Sequence, residues 1–345
     1  MIASKIEAGI NWTQSNKTDG YWAALCVTPT GRIIAGSGSN TANSSTVSKG
    51  IWYSDDNGIN WTQSSKTTGN WVTLCVTSTG RIIAGSFGAA GIWYSDNNGV
   101  NWTQSNKTNL NWFSLCVTST GRVIAGSNSG IWYSDDNGIN WTQSIIIYGN
   151  WSDHSWHSLC VTPTGRVIAG STSYNYGGIW YSDDNGERWT QSNKTKRGWH
   201  SLCVTPTGRV IAGGDGYKEG IWYSDDNGVN WTQSTKTNGE DWNGTWYSFC
   251  VTPAGRVIAG SNNGASTWYS DDNGINWIKS NEIDGMWKTL CIISTGRVIV
   301  GGTGNGLWYS DATIKTAGEK YLDQSGAQEI VTQFKAYCDS LVGGE

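Results

Sequence analysis

The chain is short of charge and of proline. Lys, Arg, Asp and Glu make up only 14 % of its 345 residues, and the net charge is −4. That excludes long charge runs and the basic face that nucleic-acid binding needs. No apolar run approaches the length of a membrane span, which excludes membrane insertion by a helix. The opening "MIASKIEAGINW" lacks the apolar core of a secretory signal. The expectation is therefore a chain made in the cytoplasm without a signal peptide, free to leave by lysis or within a particle. Against 4 Pro stand 46 Gly and 23 Trp, the composition of many short strands joined by glycine turns.

Eight Cys invite a disulfide or metal reading, but seven of them recur at one equivalent site: Cys26, Cys75, Cys116, Cys160, Cys203, Cys250 and Cys291. Each sits in a strand-like "LCV", "FCV" or "LCI". Spacings of roughly forty residues do not match CxxC-type metal sites. These seven read as buried, unpaired small hydrophobes. Cys338 stands apart in the tail.

The Cys register is one of several. Four phrases each recur seven times, exemplified by "WAALCVT", "GRIIAG", "GIWYS" and "INWTQS". Each reads as one short strand, labelled A to D in that order. Three Trp per repeat account for 21 of the 23, leaving Trp151 and Trp242. Four antiparallel strands per unit fit a propeller blade. Strict alternation in strand A puts Trp22, Ala24 and Cys26 on one face and Ala23, Leu25 and Val27 on the other. Both faces are apolar or small, as in a sheet covered on both sides. The chain opens on a lone strand D, "GINWTQS", and its last repeat stops after strand C. The expected fold is all-β: a seven-bladed propeller over residues 1–311, its closing blade made of one N-terminal and three C-terminal strands. That closure removes exposed sheet edges.

The C–D turn, "YSDDNGINW", resembles the Asp box, or BNR repeat, of sialidase-like propellers. The pattern Ser-x-Asp-x-Gly-x-x-Trp occurs at Ser54, Asp56, Gly58 and Trp61, and again around Asp136, Asp184, Asp226 and Asp272. At the second repeat Asn97 replaces the Asp, and the last box stops at Ser310 and Asp311. The expected role is structural, with the Asp accepting turn amides, Gly at positive φ and Trp packed beneath. "DDNG" also looks like a calcium loop, but the closing bidentate Glu is missing. No metal or cofactor is expected. The resemblance to sialidases implies an arginine cluster, a Tyr nucleophile with a Glu, and an Asp. Here seven Arg occupy one repeated A–B position, so no catalytic set can be assigned, and the protein is expected not to be an enzyme. The photosystem assembly factors, another Asp-box family, likewise need no catalysis. A glycoside hydrolase would need paired carboxylates, for which Glu219, Glu240, Asp241 and Asp153 are the weak candidates.

Function is expected where the repeats differ. The A–B and C–D loops share one nearly uniform face, and the B–C and D–A loops share the variable one. Two D–A loops are long, Ile145–Trp156 and Thr235–Trp246. With the B–C loop of the fourth repeat they gather Tyr148, Trp151, His154, Tyr174 and Tyr176 as one aromatic patch, and Trp242 as a further aromatic. Aromatic planes beside polar groups suit sugar rings. A second candidate is the strand-A ring of Trp22, Trp71, Trp112, Trp156, Trp199, Trp246 and Trp287, for which packing between blades is the competing role. The residue after each Trp varies from Ala23 to Lys288, so that ring can line an uneven funnel at the axis.

Beyond Asp311, residues 312–345 read as a linker and an amphipathic helix with its apolar stripe on Ile330, Val331, Phe334, Tyr337, Cys338 and Leu341. The words "YLDQSGAQEIVTQFKAYCDS" resemble a segment common in tail and fibre proteins of phages and prophages. That resemblance implies a virion component, lectin-like, held to other virion or tail proteins by this helix and offering its loops to a host-surface glycan. The alternative is a structural or assembly protein of a virion that docks by protein–protein contacts.

Overall fold

The computed structural model describes residues 8–38, 50–88, 90–146, 154–172, 177–194, 197–215, 219–236, 244–261, 267–281 and 285–310. The expected C-terminal helix with Cys338 lies outside these residues. Seven antiparallel sheets follow one another around a ring. In the first, Trp22–Val27, Ile33–Ser37, Gly50–Ser54 and Thr62–Gln63 pair in chain order. Each strand A touches the next, and Trp22–Val27 touches Met286–Ile292 of the last blade. In that last blade Thr13–Gln14 pairs with Leu307–Ser310, so both ends of the chain share one sheet, as the repeat pattern predicts.

The second strand of each blade is buried along its first five residues, which is why "IIAG" and "VIAG" run apolar without alternation. The first strand departs from alternation. Trp22 pairs with Ser37 and Ala24 with Gly36, so Ala23 is an extra residue, a β-bulge, and the same shift recurs in all seven blades. The bulge turns Trp22 to the Leu25 and Val27 side, where it packs with Ile33, Ala35 and, from the preceding blade, Cys291, Ile293 and Ile299. Cys26 faces the other way, onto Trp71 of the next blade. The placement of Trp22 with Ala24 and Cys26 is thus corrected: alternation fails where one residue is inserted. Packing between blades sets the large Trp, Leu and Val face of one against the small Ala and Cys face of its neighbour. It needs glycine after the strand-B Ala, since a Cβ on Gly36 would lie 2.7 Å from the Trp71 carbonyl oxygen.

Neighbouring blades are also stitched by backbone. Asn16 N–H donates to the Ile59 carbonyl at 3.0 Å, and the equivalent bond recurs round the ring to Asn281 N–H on Ile10 at 3.2 Å. At two of these stitches the chain continues as a short parallel strand, Ile145–Ile146 beside Arg188–Gln191 and Thr235–Lys236 beside Asn276–Lys279. Two sheets therefore have five strands, the fifth lent by the preceding repeat. Both lent strands start the long D–A loops. The seven strand-A cysteines are free, and burial pushes their thiols up, to about 12 for Cys75 and Cys250.

Candidate functional site

The Asp-box face is chemically closed. Ser54 Oγ donates to Asp56 Oδ1 at 2.9 Å and accepts from Gly58 N–H at 2.9 Å. Asp56 takes the Asn60 backbone N–H on Oδ1 at 2.8 Å and the Asn60 Nδ2 on Oδ2 at 2.6 Å. Partial burial opposes ionisation of Asp56, but the bonds from Asn60, Ser54 and Ile59 outweigh it and hold the carboxyl below its ordinary value. The same direction and causes apply at Asp136, Asp226 and Asp272. At Asp184, Arg188 stands in place of the Asn and its guanidinium lies 3.8 Å away. Asn97 keeps the Ser95 bond and the Asn101 N–H bond, which explains how one box survives without its Asp. Two successive residues, Asn57 and Gly58, have φ of 61° and 86°, so the turn needs Asn as well as Gly. Trp61 Nε1 donates to the Gly58 carbonyl at 3.0 Å, pinning the ring beneath the turn.

The repeated arginines lock each box to its neighbour. Arg32 grips Asp55 bidentately, Nε to Oδ1 at 2.6 Å and Nη2 to Oδ2 at 2.7 Å, and stacks on Tyr53 at 4.1 Å. Its Nη1 donates at 3.0 Å to the carbonyl of Asn98, the left-handed residue of the next blade's turn. Arg81, Arg122, Arg166 and Arg209 repeat the reach, and Arg297 closes the ring onto Asn57. Arg256 reaches the carbonyl of Ala8 instead, at 3.1 Å. Gly9 N–H donates to Ser310 Oγ at 2.9 Å, as Gly58 does to Ser54. A Cβ on Gly9 would lie 2.5 Å from Ile258, as one on Gly58 would lie 2.6 Å from Ile299. The seventh Asp box is therefore split, its Ser from one end of the chain and its Gly from the other. The signal was present in the match of "AGINW" to "NGINW".

The opposite face is open at the axis. The seven bulged residues, one per blade, line a cavity of about 130 Å³: Ala23, Val72, Phe113, His157, His200, Tyr247 and Lys288. The funnel expected from their variability is present, and the bulge is what aims them inward. Phe113 stacks on His157 with centroids 4.1 Å apart, His157 meets His200 edge-on at 5.0 Å, and His200 meets Tyr247 at 5.2 Å. Lys288 Nζ lies 5.2 Å from the Tyr247 ring. Behind His200, Asp215 Oδ2 is 3.4 Å from Nε2, and Asp215 Oδ1 accepts from Thr245 Oγ1 at 2.7 Å. The His200 bond, opposed by burial and aided by Thr245, holds Asp215 below its ordinary value. Burial, with His200 adding, pushes His157 down to about 3, so it is neutral in its stack. Ala23 and Val72 leave the remaining arc small and apolar.

The other residues singled out in the sequence are placed as follows. Trp22, Trp71, Trp112, Trp156, Trp199, Trp246 and Trp287 are all buried between blades, each edge-on to the strand-C Trp of its own blade. Packing is their role, and it is the residue after each Trp that lines the axial cavity. His154 is also buried rather than presented: its Nδ1 is 3.0 Å from Ser171 Oγ and its ring lies on Trp156 and Trp180. Tyr148, Trp151, Tyr174, Tyr176 and Trp242 lie outside the described residues, as do Asp153, Glu240 and Asp241. Glu219 is paired with Arg197 at 3.0 Å.

The BNR/Asp-box repeat family matches at residues 52–63 and 132–143. A comparison with curated proteins finds no match. Among solved structures, YCF48 bound to D1 peptide is similar at 17 % identity and a TM-score of 0.64, over 90 % of this chain and 99 % of that one. YCF48 from Cyanidioschyzon merolae gives 13 % identity and a TM-score of 0.64, over 87 % and 98 %. The virginiamycin B lyase from Staphylococcus aureus gives 10 % and 0.65, over 87 % and 98 %. Likeness at such identities speaks for the fold alone, and it spans a lyase and a peptide-bound protein. The chain is a seven-bladed β-propeller built on BNR/Asp-box repeats.

Proposed function

We propose that the chain is a non-enzymatic binding module that takes a glycan on the face of its B–C and D–A loops, with the axial funnel at the centre of the contact. The observation that carries this reading is the funnel ring itself. A scaffold repeated seven times presents seven equivalent positions, and their side chains run from Ala23 to Lys288 without repeating the scaffold's symmetry. Aromatic edges beside imidazoles and a carboxylate suit a sugar's C–H faces and hydroxyls. Asp215, the carboxylate behind the ring, is already engaged by His200 and Thr245, and Glu219 by Arg197, which disfavours both as the paired carboxylates of glycoside hydrolysis. Combined with the phage-like C-terminal words, the module is read as a virion-associated adhesin that the tail anchors and the funnel face aims at host-surface glycan.

The test is a glycan array and a host-cell binding assay with the intact chain and with Ala23→Trp, which fills the funnel. Binding that the plug abolishes is expected, and an intact chain that binds neither glycans nor cells sinks the reading. The second reading, a virion assembly protein, is favoured by one point: a propeller of the same fold has been seen holding a peptide. Particle incorporation by a protein that never binds glycans would select it.

A further inference from the structure

Lys288 is the one cation of the funnel ring, and it differs from the cations elsewhere on the disc. Each ring arginine from Arg32 to Arg256 grips an Asp, and Arg197 holds Glu219. Lys66, Lys107 and Lys194 lie within 3.0–3.6 Å of a Trp ring centroid, each laid on the strand-C Trp of the following blade. Lys288 forms no ion pair with any described residue, and its only neighbour of this kind is the Tyr247 ring at 5.2 Å. Burial pushes its pKa down, the mark of an ammonium that has lost water without gaining a counter-charge.

The space beside it is open. Going round the ring, the position after Lys288 is Ala23 and the next is Val72, the two smallest side chains of the seven. The opposite arc is filled by Phe113, His157 and His200, and Asp215 there is held by Thr245 Oγ1 at 2.7 Å and lies 3.4 Å from His200 Nε2. The funnel thus has a bulky arc of rings, a small apolar notch and, where the two meet, a positive charge with no ion-pair partner among the described residues.

We propose that the glycan taken by the funnel is an acidic one, its anionic substituent seated in the notch over Ala23 and paired with Lys288, while the sugar ring lies against Tyr247 and His200. This rests on the funnel being the binding site. A carboxylate or a sulfate supplies the same chemistry, and pairing with a half-buried ammonium exceeds a neutral hydrogen bond in strength. The neutral His157 and its Phe113 stack set the far wall and add no charge.

The experiment uses the full chain on an array that pairs uronic-acid oligosaccharides with their carboxyl-reduced counterparts and with sulfated versions of those counterparts. Acidic members should bind about tenfold or more tightly than the reduced ones, an advantage that shrinks as salt rises. Lys288→Met should erase that advantage and Lys288→Arg should retain it, with unchanged melting temperatures confirming the fold. Recovery of binding by the sulfated members means that charge alone suffices, and failure to recover assigns the site to a carboxylate. Equal binding of acidic and reduced members, or a preference that survives in Lys288→Met, overturns the proposal. If Ala23→Trp still abolishes binding in that case, the funnel reading stands without it. If no member binds the intact chain, both fall together.

Discussion

The two faces of the disc put one repeated scaffold to opposite uses. On the Asp-box face the repeats serve one purpose with few variations: the Asp or Asn of the box, the arginine and the turn carbonyl satisfy one another, and each blade holds the next through them. On the funnel face the backbone is equally regular, with a bulge in every blade, but the side chains it aims at the axis range from small aliphatic through aromatic and imidazole to cationic. The lesson is that polar and acidic residues in register are a poor guide to a site. The acids of the Asp boxes are consumed by structure, and the residue that varies from blade to blade is the one that lines the open cavity.

That contrast can be broken in order of effect. Removing residues 1–14 takes away strand Thr13–Gln14, the Ala8 carbonyl under Arg256 and the Gly9 half of the split box. Roughly 4–5 kcal/mol of stability should be lost, read from denaturant midpoints. Next comes Gly58→Val, which forces a β-branched residue to φ 86° and a Cβ to 2.6 Å from Ile299 Cδ1. It should cost roughly 2–4 kcal/mol, whereas Val72→Ala in the funnel should cost under about 1 kcal/mol. Among the arginines, the Arg256 side chain is 3 % exposed and that of Arg32 is 16 %. Arg256→Met should therefore destabilise by roughly 2 kcal/mol and Arg32→Met by about half that, because solvent already screens the exposed pair.

The smallest effects are those of pH, and they separate the faces by range. His157 is pushed down to about 3, so the unfolded chain takes up the proton first as pH falls. Its stabilising contribution is complete above the ordinary histidine value near 6.5 and is lost between there and about 3. The Asp-box carboxyls are also held low, so their contribution is complete above the ordinary carboxylate value near 4 and is lost below it. Melting temperature should therefore sag between pH 6.5 and 4.5 in the native chain and not in His157→Phe, while both fall further below about pH 4. A native curve that is flat down to pH 4.5 would count against a neutral, stacked His157.

Most of the disc was legible in the sequence because it is written seven times. Register among four phrases fixed the blades, and the orphan "GINWTQS" with the truncated last repeat fixed the closure. What escaped depends on relations between strands or between blades. The bulge at Ala23 is visible only when strand A is paired with strand B, since neither phrase alone marks the extra residue. Without it Trp22 seems to share a face with Cys26. The reach of Arg32 to Asn98 spans two repeats and leaves no local spacing to read. The split seventh box hid because Ala8 replaces the Asn and its Ser310 lies some three hundred residues further along the chain. His154 looked like part of a surface patch by composition, and only its packing against Trp156 and Trp180 shows it to be core. The funnel was half legible: variability marked its residues, and geometry was needed to bring them to one axis.

The central claim is that the disc has one asymmetric site at its axis rather than seven equivalent ones on its blades. Calorimetric titration of an array-selected oligosaccharide into the native chain and into Ala23→Trp tests it most directly. One ligand per chain, lost when the funnel is filled, is the predicted result. A stoichiometry near one ligand per blade, or binding that the filled funnel leaves unchanged, would contradict it.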